Sequence, residues 1–290
     1  MTAGPGEGTS NKGDQSPVLS NTALRVITAL IVLPIAVLAG LAGGLFLTIL
    51  IGLGVALATL EFYMLAQGRE AQGSSLVGLP VALAVVLAFH LGQDIIWQGA
   101  LVLCVLATFV LMTLRHPDDV RRSLWQVGST LAGVFYIAFP GAFLIGLRAL
   151  DEGVMWLFVV LTATWGADTF AYLGGRFFGR TKLAPTLSPK KTVEGAVVGV
   201  IGGIVPAALL LAQSGHLSGG TWVLILLLPF VAIAGDLFES AIKRFFSVKD
   251  SHIAGLDLFP GHGGVLDRID ALIWVSAFTY GYLALTGVAA

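Results

Sequence analysis

GHGGVLDRIDALIWVSAFTYGYLALTGV, residues 261–288, joins two kinds of chemistry in one run. Residues 261–270 hold three glycines, a histidine, an arginine and two aspartates, whereas residues 271–288 hold no charged side chain. A membrane-spanning helix needs about 20 mostly apolar residues. The stretch therefore reads as a spanning helix with charged groups at its mouth, and the fold follows from asking how often such a run recurs.

It recurs along the whole chain. Of 290 residues, 56% are hydrophobic and 11% charged, with a mean hydropathy of +0.90. Apolar runs lie near 26–43, 45–66, 76–91, 95–114, 124–147, 154–173, 193–212, 221–238 and 269–288. The expected fold is all-α: a polytopic integral membrane protein with about nine transmembrane helices. Internal glycine and proline, such as Pro34, are tolerated in such helices because neighbours re-satisfy the backbone. Residues 1–23 are polar and Gly/Ser-rich, without the basic and apolar segments of a signal peptide, and read as a disordered cytoplasmic tail. Residues 24–150 form an N-terminal helical region, and 151–290 a C-terminal catalytic one.

The net charge of −1 conceals an asymmetry. With loops assigned alternately to two sides, one side takes Lys12, Arg25, Arg69, Arg115, Arg121, Arg122, Arg176, Arg180, Lys182, Lys190, Lys191, Lys243, Arg244, Lys249 and Arg268. The other takes only Arg148. Excess Lys and Arg mark the cytoplasmic side, so the N-terminus is expected in the cytoplasm and the protein in the inner (plasma) membrane. Cys104, the single cysteine, excludes disulfide scaffolds and cysteine-based zinc sites. No helix-turn-helix or zinc-finger spacing is present, so no nucleic-acid partner is expected.

The first half is poor in chemistry. Glu61 lies inside the second span, where an interhelical or helix-end hydrogen bond is its plainest use. The second half is richer. In GDLFESAIKRFFSVKD, 235–250, a helical rotation of 100° per residue puts Asp236, Glu239, Ser240, Lys243 and Arg244 on one arc of roughly 140°. Carboxylates lie deeper and cations further out. That order suits a metal at Asp236 with phosphates gripped by Lys243 and Arg244, though an amphipathic helix end would also produce it.

Asp267 and Asp270 are three residues apart and can face one side of the last helix. An aspartate near a helix N-terminus is a common cap, which accounts for Asp270 more readily than for the whole Asp-Arg-x-Asp cluster. Gly263 and Gly264 let backbone amides approach an anion at that helix start, and His262 is a candidate phosphate donor or a hinge residue. Upstream, Asp168 lies within the sixth span. Ser188-Pro189 reads as an N-cap and first helical residue, which puts Lys190 and Lys191 in the first turn of the seventh helix, beside a bound phosphate. Carboxylates for a divalent cation, cations for phosphates and a glycine hinge at one membrane face amount to the inventory for phosphoryl or nucleotidyl transfer on a lipid.

The stretch SAIKRFFSVKD, 240–250, followed by PGHGGVLDRID, 260–270, resembles the signature of the phosphatidate cytidylyltransferases, the CDP-diacylglycerol synthases. WGADTFAY (165–172), SPKKTVEG (188–195), GDLFES (235–240) and RVITALI (25–31) are similar to family motifs as well. The likeness is densest over 162–274. One departure is SHIAGLDLF, 251–259, which makes the loop longer than the family's usual one.

The resemblance implies a nine-helix membrane enzyme, a homodimer, that condenses CTP with phosphatidate to CDP-diacylglycerol and pyrophosphate. It implies Mg2+, with a second, monovalent cation such as K+. Carried onto this chain, Asp236 and Asp267 are the expected metal ligands, and Lys190, Lys243, Arg244 and Arg268 grip phosphates. Ser188 and the backbone of Gly263 and Gly264 lie nearby, and Glu239, Lys249 and Asp250 are further candidates. Two rivals accompany this reading. One is a cytidylyltransferase acting on an isoprenoid ether lipid. The other is an ion-coupled transporter using Asp168, Glu194 and Asp236, although such proteins place carboxylates near mid-membrane in both halves.

Overall fold

The structure is a computed structural model that describes residues 21–68, 71–248 and 264–288, with side chains from Val32 onward. Its helices are α1 (Asn21–Ala42), α2 (Gly44–Gln67), α3 (Ala71–Leu91), α4 (Asp94–Arg115), α5 (Val120–Gly133), α6 (Phe139–Ala149), α7 (Gly153–Phe178), α8 (Val193–Gln213), α9 (Gly219–Phe245) and α10 (Leu266–Thr286). A π-helical turn, Val134–Ala138, joins α5 to α6 without a break. Among the described residues, eight helical segments are long and apolar enough to cross a membrane, counting Val120–Ala149 as one, and the described part of α1 is a shorter apolar helix. The all-α polytopic architecture is thus as expected. One addition is a small antiparallel hairpin between α7 and α8, β1 (Lys182–Ala184) with β2 (Ser188–Thr192).

Small residues at four-residue spacing set the closest helix pair. On α8, Gly195, Gly199 and Gly203 repeat every fourth position; on α7, Ala163, Ala167 and Ala171 do the same. A methyl built on Gly195 would lie 2.7 Å from the Ala171 carbonyl, on Gly199 2.8 Å from that of Ala167, and on Gly203 2.8 Å from that of Ala163. Without a hydrophobic drive between helices in lipid, such backbone approach supplies the attraction. This pair forms one wall of the region that carries the polar residues.

Arg148, the lone cation of the other side, has a structural use. Its Nε donates to the Gly40 carbonyl at 2.9 Å and its Nη2 to that of Leu41 at 3.2 Å, satisfying the end of α1. Gly43 turns the chain there at φ 63°, and a methyl on it would meet the guanidinium at 3.0 Å.

Two apolar clusters divide the interior. One gathers α7, α8 and α9 with Ala271, Val275 and Leu283 of α10; the other gathers α2, α3 and the π-turn. Val265 and Leu266, at the start of α10, belong to the second. The last helix therefore begins inside the N-terminal half of the molecule, so the two regions read from the sequence meet where the charged motif lies.

Candidate active site

Helices α9 and α10 run in opposite directions beside one another, so residues meet at equal depth. The end of α9 faces the beginning of α10. Lys243 donates to Asp267 Oδ1 at 2.8 Å and pairs with Glu239 Oε2 at 2.5 Å, one helical turn earlier. Glu239 is only 1% exposed, while Lys243 and Asp267 are partly exposed, so this triad lies at the edge of the interior. Asp267 Oδ2 accepts the Gly264 amide at 3.0 Å. One turn deeper on both helices are Asp236 and Asp270, whose charges interact with each other.

The hairpin enters this second level. Thr192, not Ser188, caps α8, its Oγ1 accepting the Gly195 amide at 3.2 Å. The expected helix start at Ser188-Pro189 is corrected: Ser188–Thr192 is a strand, with Ser188 opposite Ala184 and Lys182 opposite Thr192. The physical reason is twofold. Two lysines in a first helical turn oppose the helix dipole, and the β-branched Thr192 offers the better-placed cap. Strand alternation then sends neighbouring side chains to opposite faces. Lys190 is exposed, while Lys191 turns inward and forms a salt bridge with Asp236.

Glu194 has a structural use. Its carboxylate accepts the amides of Arg180 at 3.0 Å and Thr181 at 3.1 Å, tying the end of α7 to the start of α8 and closing the base of the hairpin. Asp168, on α7, completes the deeper level: it lies close enough to Asp236 and Lys191 for their charges to interact, and the same holds between Asp270 and Asp168. Tyr136, from the π-turn, packs its ring edge-on against Phe238 of α9, with centroids 5.5 Å apart, and against Trp274 of α10 at 6.3 Å, beside this array.

Asp236 and Asp267, the expected metal ligands, both belong to this α9–α10 array: Asp236 shares its level with Asp168, Asp270 and Lys191, and Asp267 contacts Lys243 and Gly264. An antiparallel helix pair requires this register: three residues forward on α10 correspond to a step backward on α9. Of the expected backbone cradle for phosphate, the Gly264 amide is engaged by Asp267 and Gly263 lies outside the described residues. The Val265 and Leu266 amides donate to Glu61 Oε1 and Oε2, each at 2.8 Å, and the Gly264 amide to Asp267. All three are already engaged by carboxylates.

Of the remaining expected residues, Arg244 is exposed and its Nη1 donates to the Val248 carbonyl at 3.3 Å, closing the end of its own helix. Arg268 is exposed, and Ser240 and Ser188 are half-buried. Lys249, Asp250, His262, Gly263 and the 251–259 loop lie outside the described residues. Sequence reasoning passed over Tyr136, which no motif contains, and assigned Asp270 a capping role. A π-turn is a frequent mark of function, but nothing in the local sequence announces it.

A model of the cytidylyltransferase family matches residues 23–286. The chain belongs to the cytidylyltransferase family. It is 34% identical over 267 residues to the phosphatidate cytidylyltransferase of Thermotoga maritima, covering 88% of this chain and 94% of that protein. To the Pseudomonas aeruginosa phosphatidate cytidylyltransferase it is 37% identical over 272 residues, covering 86% and 92%. Similarity extends to the chloroplastic phosphatidate cytidylyltransferase 5 of Arabidopsis thaliana, at 34% over 287 residues, with 86% of this chain and 68% of that protein covered.

The family resemblance implies a magnesium ion, and the donor set can be tested against one. Three carboxylates, Asp168, Asp236 and Asp270, share a level with one ammonium, Lys191. Asp168 is exposed and Asp236 partly so, and such an excess of negative charge gathered in one place favours a bound counter-ion. Among the described residues, no three His, Cys, Asp or Glu side chains form a complete metal cage. Magnesium does not need one: it binds through one or two carboxylates plus substrate phosphates and water. The residues fit the ion in that form.

Proposed function

We propose that this member of the cytidylyltransferase family condenses CTP with phosphatidate, giving CDP-diacylglycerol and pyrophosphate. The observation that carries the reading is the two-level array on α9, α10 and the hairpin: carboxylates at Asp236, Asp270 and Asp168 with Lys191 on one level, and Lys243 between Glu239 and Asp267 on the other, at the basic end of a membrane-spanning bundle. An anionic lipid and an anionic nucleotide both require cations at such a face, and transfer between them requires carboxylates to hold a metal. The curated names of the Thermotoga and Pseudomonas relatives agree.

In this reading a phosphate oxygen of the lipid attacks the α-phosphorus of CTP and pyrophosphate leaves. The phosphatidate phosphate is ionised at neutral pH, so no general base is required. Asp236 and Asp270 would hold the cation, Mg2+, together with Asp267, which Lys243 keeps in place. When bound, it neutralises charge on the reacting phosphates. Lys191, Lys190 and Arg268 bind and orient phosphates, and Glu239 keeps Lys243 directed at Asp267. A monovalent cation such as K+ accompanies the divalent one, the enzyme works as a homodimer, and the site faces the cytoplasm from the inner membrane.

Purified protein given labelled CTP, phosphatidate and Mg2+ should form CDP-lipid and pyrophosphate in equal amounts. An isoprenoid ether-lipid phosphate in place of phosphatidate should be a poor substrate. Absence of product with phosphatidate, or preference for the ether lipid, overturns the assignment.

A further inference from the structure

The first turn of α10 is held from outside its own sequence. Val265 stands at its N-cap in helical geometry and no side chain of the helix caps it. A helix start normally receives an oxygen from its own Ser, Thr, Asp or Asn, because its first amides have no partner within the helix. Here the oxygens come from α2, about two hundred residues away in sequence. The Glu61 carboxylate is 3% exposed and takes one amide on each oxygen, Val265 on Oε1 and Leu266 on Oε2, both at 2.8 Å.

The clamp lies directly beside the charged triad. Gly264, Val265 and Leu266 present three consecutive amides, and two carboxylates, Asp267 and Glu61, divide them. Asp267 takes one amide with Oδ2 and turns Oδ1 to Lys243. Lys243 is a long, flexible side chain and cannot by itself fix the direction of α10. The rigid part of the arrangement is the pair of short bonds to Glu61, set in the apolar cluster that includes Val265 and Leu266.

We propose that Glu61 is a positioning residue for the transfer reaction: it caps α10 across the bundle and so sets the direction in which Asp267 meets Lys243. This rests on the reading that the α9–α10 face carries out cytidylyl transfer. A carboxylate that only stabilised the fold would affect yield and melting but not the turnover of correctly folded protein. Glu61 acts on turnover because small misplacements of catalytic groups cost far more in rate than in binding.

The test uses the full chain in detergent or nanodiscs. Glu61→Gln keeps one acceptor oxygen and turns an amide donor towards the other N–H. Val265→Pro keeps the Glu61 carboxylate and removes one of the two donors. The φ of Val265, −65°, is that of proline, so the backbone there accepts the ring. In both variants kcat should fall roughly 10- to 100-fold while the KM for CTP stays within about twofold. Amide exchange at Leu266 should accelerate in both. In an Asp267→Asn background, Glu61→Gln should add little further loss, since residues acting as one unit are non-additive. Wild-type turnover in either folded variant, unchanged exchange at Leu266, or multiplicative losses with Asp267→Asn overturns the proposal. A wild-type protein that makes no CDP-lipid refutes the functional reading instead, and amide exchange then still tests the clamp.

Discussion

Lys191, on the inward face of the β1–β2 hairpin, forms a salt bridge with Asp236 on α9. The contact joins the one non-helical element among the described residues to the deeper level of the polar array. Its partners are only partly shielded, with Lys191 26% and Asp236 30% exposed, so both remain reachable by a nucleotide.

Lys191 and its neighbour should therefore differ in effect. Lys191→Gln should raise the KM for CTP at least about tenfold, a loss of about 1.4 kcal/mol in binding. Lys190→Gln, on the exposed face of the same strand, should change it much less. Equal effects of the two in steady-state kinetics would contradict the inward assignment.

Asp236 and Asp270 should behave as one unit. Each change to Asn should lower turnover at least about 100-fold, roughly 2.7 kcal/mol in the barrier, and raise the Mg2+ concentration needed for half-maximal rate. The double variant should be barely worse than either single one. Asp267→Asn should also impair turnover, but its effect should couple to Lys243→Gln. Multiplicative losses for Asp236 with Asp270 would mean that the two do not share a ligand.

Glu194 should matter to the hairpin rather than to proton movement. Glu194→Ala removes the acceptor of the Arg180 and Thr181 amides, and the base of the hairpin should open more often. Limited trypsin digestion after Arg180 and Lys182 should accelerate several-fold, since cleavage follows the open population. An unchanged digestion rate would show that the strands alone hold the segment.

Gly199 tests the α7–α8 approach. A methyl there lies 2.8 Å from both the Ala167 carbonyl and the Ala171 Cβ, so Gly199→Ala should destabilise by about 1–3 kcal/mol through overpacking. Gly54→Ala, with nothing within 4 Å of the added methyl, should be neutral or slightly stabilising. Unfolding in detergent separates the two. Equal stability of both variants would place the helices further apart than described.

Topology is open to direct labelling. In a Cys104→Ala background, cysteines at the exposed Asp118 and Thr186 should react only from the cytoplasmic side, and those at the exposed Asp151 and Ser214 only from the other. Any reversal within either pair would break the alternation of spans on which the charge asymmetry depends.

Membrane class, the helical runs and the concentration of charge in the second half were all readable from residue order. They rest on local composition: each helix must be apolar over its own length, and each charged motif is contiguous. The resemblance of SPKKTVEG, GDLFES and PGHGGVLDRID to family motifs is likewise local, and it led to the family that the comparisons show. The i,i+4 pairing of Glu239 with Lys243 was visible too, because one helix's geometry contains it. What residue order left open were relations between elements. That Asp270 and not Asp267 shares a level with Asp236 depends on the antiparallel register of α9 and α10. That Lys191 points inward depends on Ser188–Thr192 being a strand, which the Thr192 cap of α8 and the closure of Glu194 on Arg180 and Thr181 hold in place. Glu61 had a plain reading as a buried hydrogen-bonding group, but its partners follow from how α2 packs against the start of α10. Contacts at that sequence separation are set by the packing of whole helices, whose energies are summed over many residues and written in no single motif.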